Sequence, residues 1–204
     1  MNLQQLIYQQ FKRPSGLLGK LAGLIMARRS ANIERNAWTL DLLNLKSTDS
    51  VLELGFGPGV TIEKLAQRVP QGMIVGIDHS QTMLQQANKR NSKTIDQGLV
   101  KLYLGDVMDL PNVEQAFDKI YSANVVQFWN EPLFYFMRLF DLLAHGGTLA
   151  TTYMPMYAGA TNIDAVNKGK EIAAHLHAAG FDQIEIKSKT MKPVMAVCVL
   201  AKKT

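Results

Sequence analysis

The densest chemistry in the sequence lies in Glu53-Leu54-Gly55-Phe56-Gly57-Pro58-Gly59. This stretch follows a short apolar run at 51–54 and precedes a helical pattern. Glycines let a backbone approach a ligand closely and adopt positive φ. A helix that follows such a loop presents unpaired N–H groups and the positive end of its dipole. A nucleotide-like ligand is therefore expected here, and the spacing narrows its kind. The dinucleotide fingerprint G-x-G-x-x-G, started at Gly55, would need its third glycine where Val60 stands. The P-loop pattern fails too, because no Gly-Lys-Ser/Thr follows. Glu53, an acid inside the strand, suits a ligand with a positive group. Asp78 ends the next strand, about 20 residues on, where an acid can accept from ribose hydroxyls. Asp106 ends the third.

These residues need a scaffold that brings strand ends together. The pattern predicts strands at 51–54, 73–77, 100–104, 120–126 and 148–153, with helices at 61–69, 80–89, 132–143 and 165–179. Strand and helix in alternation imply a parallel sheet with crossovers. Two last strands, at 183–187 and 194–201, are too close for a helical crossover and should pair as an antiparallel hairpin at one edge. Ahead of the sheet, apolar stripes at 3–11 and 17–25 flank the breaker Pro14-Ser15-Gly16, and a third helix runs from Ser30 or Asn32 to about Leu45.

The glycine loop and its acids resemble the class I S-adenosylmethionine-dependent methyltransferases. VLELGFGPG at 51–59 is similar to that family's first motif and VGIDHSQTML at 75–84 to its second. LGDVMDLP at 104–111 is similar to the adenine-binding motif, FDKIYSANVVQFW at 117–129 to the fourth-strand motif, and LLAHGGTLATTY at 142–153 to the turn into strand five. The resemblance implies a Rossmann-like, doubly wound, mostly parallel seven-stranded α/β sheet with a C-terminal antiparallel hairpin. It divides the chain into an N-terminal helical cap, 1–45, and a methyltransferase domain, 46–204. It implies S-adenosylmethionine as cofactor. Gly55, Gly57 and Gly59 would line its methionyl and ribose part, and Glu53 would support the loop and the cofactor ammonium. Asp78 would bind the ribose, with His79 and Met83 near the adenine. Asp106 and the Val107 backbone would meet the adenine edge, and Asn124 joins this set. No metal is implied.

The methyl acceptor is expected at the ends of strands four and five, with Gln127, Trp129, Tyr153 and Met154 as candidates. Tyr8, Phe11 and Trp38 would close the cleft from the N-terminal segment. Arg28, Arg29 and Arg35 are read either as solvated surface or as contacts to the cofactor carboxylate or an anionic acceptor. The Asp/Asn-Pro-Pro-aromatic motif of amine methylation on nucleic acids and protein glutamine is absent after strand four. The expected acceptor is a small molecule or a lipid-like compound, with no nucleic acid. An alternative is a regulatory or assembly protein that binds the cofactor without catalysis. A short-chain nicotinamide oxidoreductase is excluded, because Tyr8 and Lys12, the lone Tyr-x-x-x-Lys, precede the first strand.

Charge placement supports the same division. The net charge is +5. Residues 1–36 carry six Lys and Arg against Glu34 alone, while the remaining 168 residues carry 16 bases and 16 acids. The neutral body lacks the basic balance of nucleic-acid binders. The basic segment reads either as helices packed on the body or as a peripheral membrane contact through residues 1–36. Lys20 interrupts its apolar stretch, and Arg28 and Arg29 follow, so neither a secretory signal nor a membrane span is expected. The location is expected to be cytoplasmic, with membrane association as the second reading. A single cysteine, Cys198, excludes a disulfide framework and fits the core.

Overall fold

The computed structural model describes residues 30–110 and 116–204. Helix α1 (Ser30–Leu42) leads into β1 (Ser50–Leu54), α2 (Val60–Arg68), β2 (Met73–Asp78), α3 (Gln81–Arg90), a short α4 (Ser92–Asp96) and β3 (Val100–Leu104). A 3-10 turn, Val107–Asp109, follows, then β4 (Phe117–Ala123) and a second 3-10 turn, Val126–Phe128. The chain ends with α5 (Pro132–Leu142), β5 (Leu143–Tyr153), α6 (Asn162–Ala178), β6 (Asp182–Lys189) and β7 (Ala196–Lys202).

The strands form one sheet in the order β3-β2-β1-β4-β5-β7-β6. β1 through β5 pair in parallel, whereas β7 runs antiparallel to both β5 and β6. This is the Rossmann-like sheet expected from the motifs. Its direction of winding reverses between β1 and β4, which opens a crevice at their carboxyl ends.

Side-chain alternation splits the core into two layers. Leu52, Leu54, Leu149 and Val199 face a cluster that includes Phe136 and Leu139 of α5 and Ile172 and Leu176 of α6. Val51, Ala150 and Cys198 face the other cluster, with Leu40 of α1, Leu65 of α2 and Met83 of α3. Cys198 is fully buried and stands between Thr152 of β5 and Lys187 of β6. α1 is fastened to the sheet by a 2.6 Å hydrogen bond between the Thr39 and Thr152 hydroxyls.

Several boundaries differ from the sequence expectation. β4 stops at Ala123 rather than 126, because Asn124 takes φ 55° and turns the chain away. β5 starts at Leu143, ahead of the glycine pair, and its register with β4 shifts between Phe117 and Lys119. α6 starts at Asn162, set by a capping box in which Thr161 and Asp164 bond each other's backbone N–H. α4 was not anticipated; five residues carry too little periodicity to be seen. The stripes at 3–11 and 17–25 lie outside the described residues.

Candidate functional site

One cleft of about 400 Å³ opens at the carboxyl ends of the strands. Its walls come from the loop after β1, the ends of β2 and β3, the turn after β4, the segment after β5, and the first half of α1.

The glycine loop is pinned from both sides. Gly55 N donates to Ile77 O at 2.8 Å, and Gly57 N donates to the Asp78 carboxylate at 2.8 Å. Arg90 Nε donates to Pro58 O at 3.0 Å and Asn91 Nδ2 to Gly59 O at 3.1 Å. Gly57 has φ 54°, and a Cβ there would meet no atom within 4 Å. Gly59 differs from the role expected of it, because it does not line the cleft. It is buried at φ 77°, and a Cβ would stand 2.9 Å from the Ala87 Cα. Its smallness lets α3 pack against the loop.

Asp78 accepts from Gly57 N with one oxygen and from Ser80 N with the other, both at 2.8 Å. Burial raises its pKa, and these two hydrogen bonds oppose the rise. Glu53 is 2% exposed, and its Oε2 has no hydrogen-bond partner among the described residues. Burial first, and then the Asp78 charge, push its pKa well above the ordinary carboxyl range; a Thr61 hydrogen bond acts in the opposite direction. A cation placed beside Glu53 would restore its ionised form. The Tyr121 hydroxyl is buried as well, on the strand next to Glu53.

Asp106 caps the 3-10 turn by accepting from Met108 N at 3.0 Å, and its second oxygen accepts from the Tyr135 hydroxyl at 2.9 Å. Tyr135 stacks on Trp129 with ring centres 4.6 Å apart and planes 7° from parallel. Trp129, expected with the acceptor, lines the cleft, and this stack ties it to the Asp106 corner as well. His79, exposed, and Met83 and Val107, buried, also line the cleft.

Asn124, expected with the cofactor, lines the cleft, and its side chain holds the Met154 peptide. Its Oδ1 accepts from Met154 N at 2.8 Å and its Nδ2 donates to Met154 O at 2.9 Å. Gln127 Nε2 donates to Asn124 O at 2.8 Å, while Gln127 Oε1 is buried without a hydrogen-bond partner among the described residues. Tyr153 and Met154 line the same end of the cleft. Trp38 does not line it and packs between core clusters instead. Tyr8, Phe11, Arg28 and Arg29 lie outside the described residues. Arg35 is not solvated surface, being 5% exposed and part of the cleft wall.

A family model described as a methyltransferase domain matches residues 51–147. The Bacillus subtilis (strain 168) protein named "Uncharacterized methyltransferase YdaC" is 33% identical over 183 residues, covering 90% of this chain and 98% of that protein. The chain belongs to the methyltransferase family. A trans-aconitate 2-methyltransferase of Variovorax paradoxus (strain S110) is 36% identical over 100 residues, 49% of this chain and 36% of that enzyme. The fold matches a crystal structure of a SAM-dependent methyltransferase from Aquifex aeolicus, with TM-score 0.73, 19% identity, and coverage of 91% of this chain and 98% of that one.

The methyltransferase uses S-adenosylmethionine, and the cleft fits it. An unpartnered buried carboxylate oxygen at Glu53 suits an ammonium, and the open side of Gly57 leaves room for a ligand against the backbone. Sequence motifs located the acids and the glycines, whereas Tyr135, Thr61, Asn36 and Tyr121 were missed. Asn36, Thr61 and Tyr135 reach the cleft from helices that no motif marks, and Tyr121, inside the fourth-strand motif at 117–129, carries no signal of its own there. Among the described residues, no helix is long and apolar enough to cross a membrane.

Proposed function

We propose that this methyltransferase acts on a small-molecule acceptor that enters between α1 and the ends of β4 and β5. The observation that carries the reading is the division of one cleft of about 400 Å³. Three carboxyl groups, Glu53, Asp78 and Asp106, line the β1–β3 end. Gln127, Tyr153 and Met154 line the other end. On this reading Asp78 accepts from the ribose hydroxyls, Glu53 faces the ammonium, and Asp106 with the Val107 N–H meets the adenine. Lipid-like acceptors belong to the same class, and the basic balance of residues 1–36 supports contact with an anionic surface.

Bound S-adenosylmethionine supplies a methyl group on a cationic sulfur, and an acceptor lone pair takes that methyl while the electrons of the broken C–S bond stay on sulfur. The protein's part is alignment and water exclusion. Gln127 Oε1, a neutral acceptor fixed by the bond from its amide nitrogen to Asn124 O, is placed to take an O–H or N–H from the acceptor and aim its lone pair.

Titration calorimetry with S-adenosylmethionine, S-adenosylhomocysteine and NAD tests the cofactor half. Asp78→Ala should weaken S-adenosylhomocysteine by roughly 1.5–3 kcal/mol for each lost charge-assisted bond. Unchanged affinity removes Asp78 from the site, and binding of NAD alone defeats the reading.

A further inference from the structure

A line of polar side chains crosses three elements and ends at Glu53. α1 supplies Asn36, the first turn of α2 supplies Thr61, and β1 supplies Glu53. All three border the cleft, and Thr61 and Glu53 are buried.

The line has a direction. Asn36 Oδ1 accepts from Arg35 Nε and Nη2 at 3.3 and 3.1 Å. A guanidinium only donates, so the amide oxygen is fixed on the Arg35 side and the amide nitrogen faces Thr61. Asn36 Nδ2 donates to Thr61 Oγ1 at 2.8 Å. A hydroxyl has one proton to give, and Thr61, already accepting from Asn36, is set to donate it onward. Two groups lie within its reach, the Glu53 carboxyl and the Tyr121 hydroxyl, which are register partners on β1 and β4. Thr61 favours the ionised form of both, as a donor does. At Tyr121 the geometry falls short of a full hydrogen bond. A carboxylate can only accept, and a hydrogen bond to it is stronger than one to a neutral phenol. Once Glu53 is ionised, the Thr61 proton therefore goes to Glu53.

We propose that Thr61 is a positioning residue for the cofactor: its hydroxyl, oriented by Asn36, holds the Glu53 carboxylate and leaves Oε2 for the cofactor's ammonium. The proposal rests on the reading of Glu53 as the partner of that ammonium. A bond from Thr61 fixes the orientation of the carboxylate and offsets part of the cost of charging a buried acid. The same relay brings α1, the wall by which the acceptor enters, into cofactor binding.

The test is titration calorimetry on the full chain with S-adenosylhomocysteine and with its analogue lacking the amino group. Wild-type protein should bind the amino compound at least about tenfold more tightly than the analogue. Thr61→Val keeps the shape of the side chain and removes the hydroxyl. It should cut that margin by about five- to tenfold and leave the affinity for the analogue unchanged. Thr61→Ala, read alongside, should show the same split, and Thr61→Ser should restore most of the margin. A wild-type margin in Thr61→Val and Thr61→Ala overturns the proposal. So does an equal loss for both ligands, or a Thr61→Ser protein no better than Thr61→Val, because either result assigns Thr61 to packing alone. If wild-type protein binds the two compounds equally, the reading of Glu53 itself fails, and the proposal falls with it.

Discussion

Asn124 grips the Met154 peptide with both polar atoms of its side chain, accepting from its N–H at 2.8 Å and donating to its carbonyl at 2.9 Å. The residue just past the end of β4 thereby extends the β4–β5 pairing with an amide group where the backbone has already turned away. Asn124→Asp keeps the acceptor and, when ionised, loses the donor. Its protonated form restores the donor. The stability deficit of this variant should therefore be largest at neutral pH and shrink as pH falls through the raised pKa of the new carboxyl. Thermal melts of both proteins from neutral pH down to about pH 4 read this difference. Asn124→Ala should lose about 1–3 kcal/mol at every pH.

Gly57 and Gly59 sit in one loop but should fail differently. Gly59→Ala pays for a left-handed φ and for a Cβ 2.9 Å from the Ala87 Cα, so denaturant melts should show a loss of about 2–4 kcal/mol. Gly57→Ala meets open space, so its stability cost should be only about 1–2 kcal/mol. Its methyl enters the cleft instead, and S-adenosylhomocysteine titration should show the larger effect.

Glu53 carries a pH signature. Its folded pKa is raised by burial and by Asp78, so the folded chain holds this proton more tightly than the unfolded chain does. That contribution to stability is complete below the ordinary carboxyl pKa and is lost as pH rises through the raised one. Glu53→Gln should flatten this decline in the ligand-free protein, measured by melts across that window. The same variant should weaken S-adenosylhomocysteine binding.

Tyr135 should act as a brace for Asp106. Burial first, with Asp106 as further cause, pushes its phenol up to about 12, so it remains a donor at neutral pH. Tyr135→Phe leaves the stack on Trp129 intact and removes one hydrogen bond. A loss of about 0.5–1.5 kcal/mol follows, or a fall in melting temperature of roughly 2–4 °C per kcal/mol. An unchanged melting curve would show that the bond is not made in solution.

The sheet was legible in the sequence because each strand is a short apolar run between turn residues, and because glycine and aspartate stand at the strand ends. The glycine loop with Glu53, Asp78 and Asp106 could be read for the same reason. Helix α1 was harder. Its buried side includes Arg35 and Thr39 beside Leu40, while Ile33 is 37% exposed, so hydrophobic spacing alone points to the wrong face. The bonds of Asn124 and Tyr135 were missed because their partners, Met154 and Asp106, are 30 and 29 residues away. A side chain's hydrogen-bond partner across a sheet leaves no periodic trace.

Cys198 has a practical consequence. It is the chain's one thiol, it is fully buried in the interior strand β7, and burial raises its pKa to about 12. A thiol-reactive dye can reach it only when β7 parts from its neighbours, so labelling under native conditions clocks the opening of the sheet. Anything that binds the closed cleft should slow that clock by mass action. The native protein thus carries its own ligand sensor, with S-adenosylhomocysteine as the reference and each candidate acceptor scored by the further delay it brings.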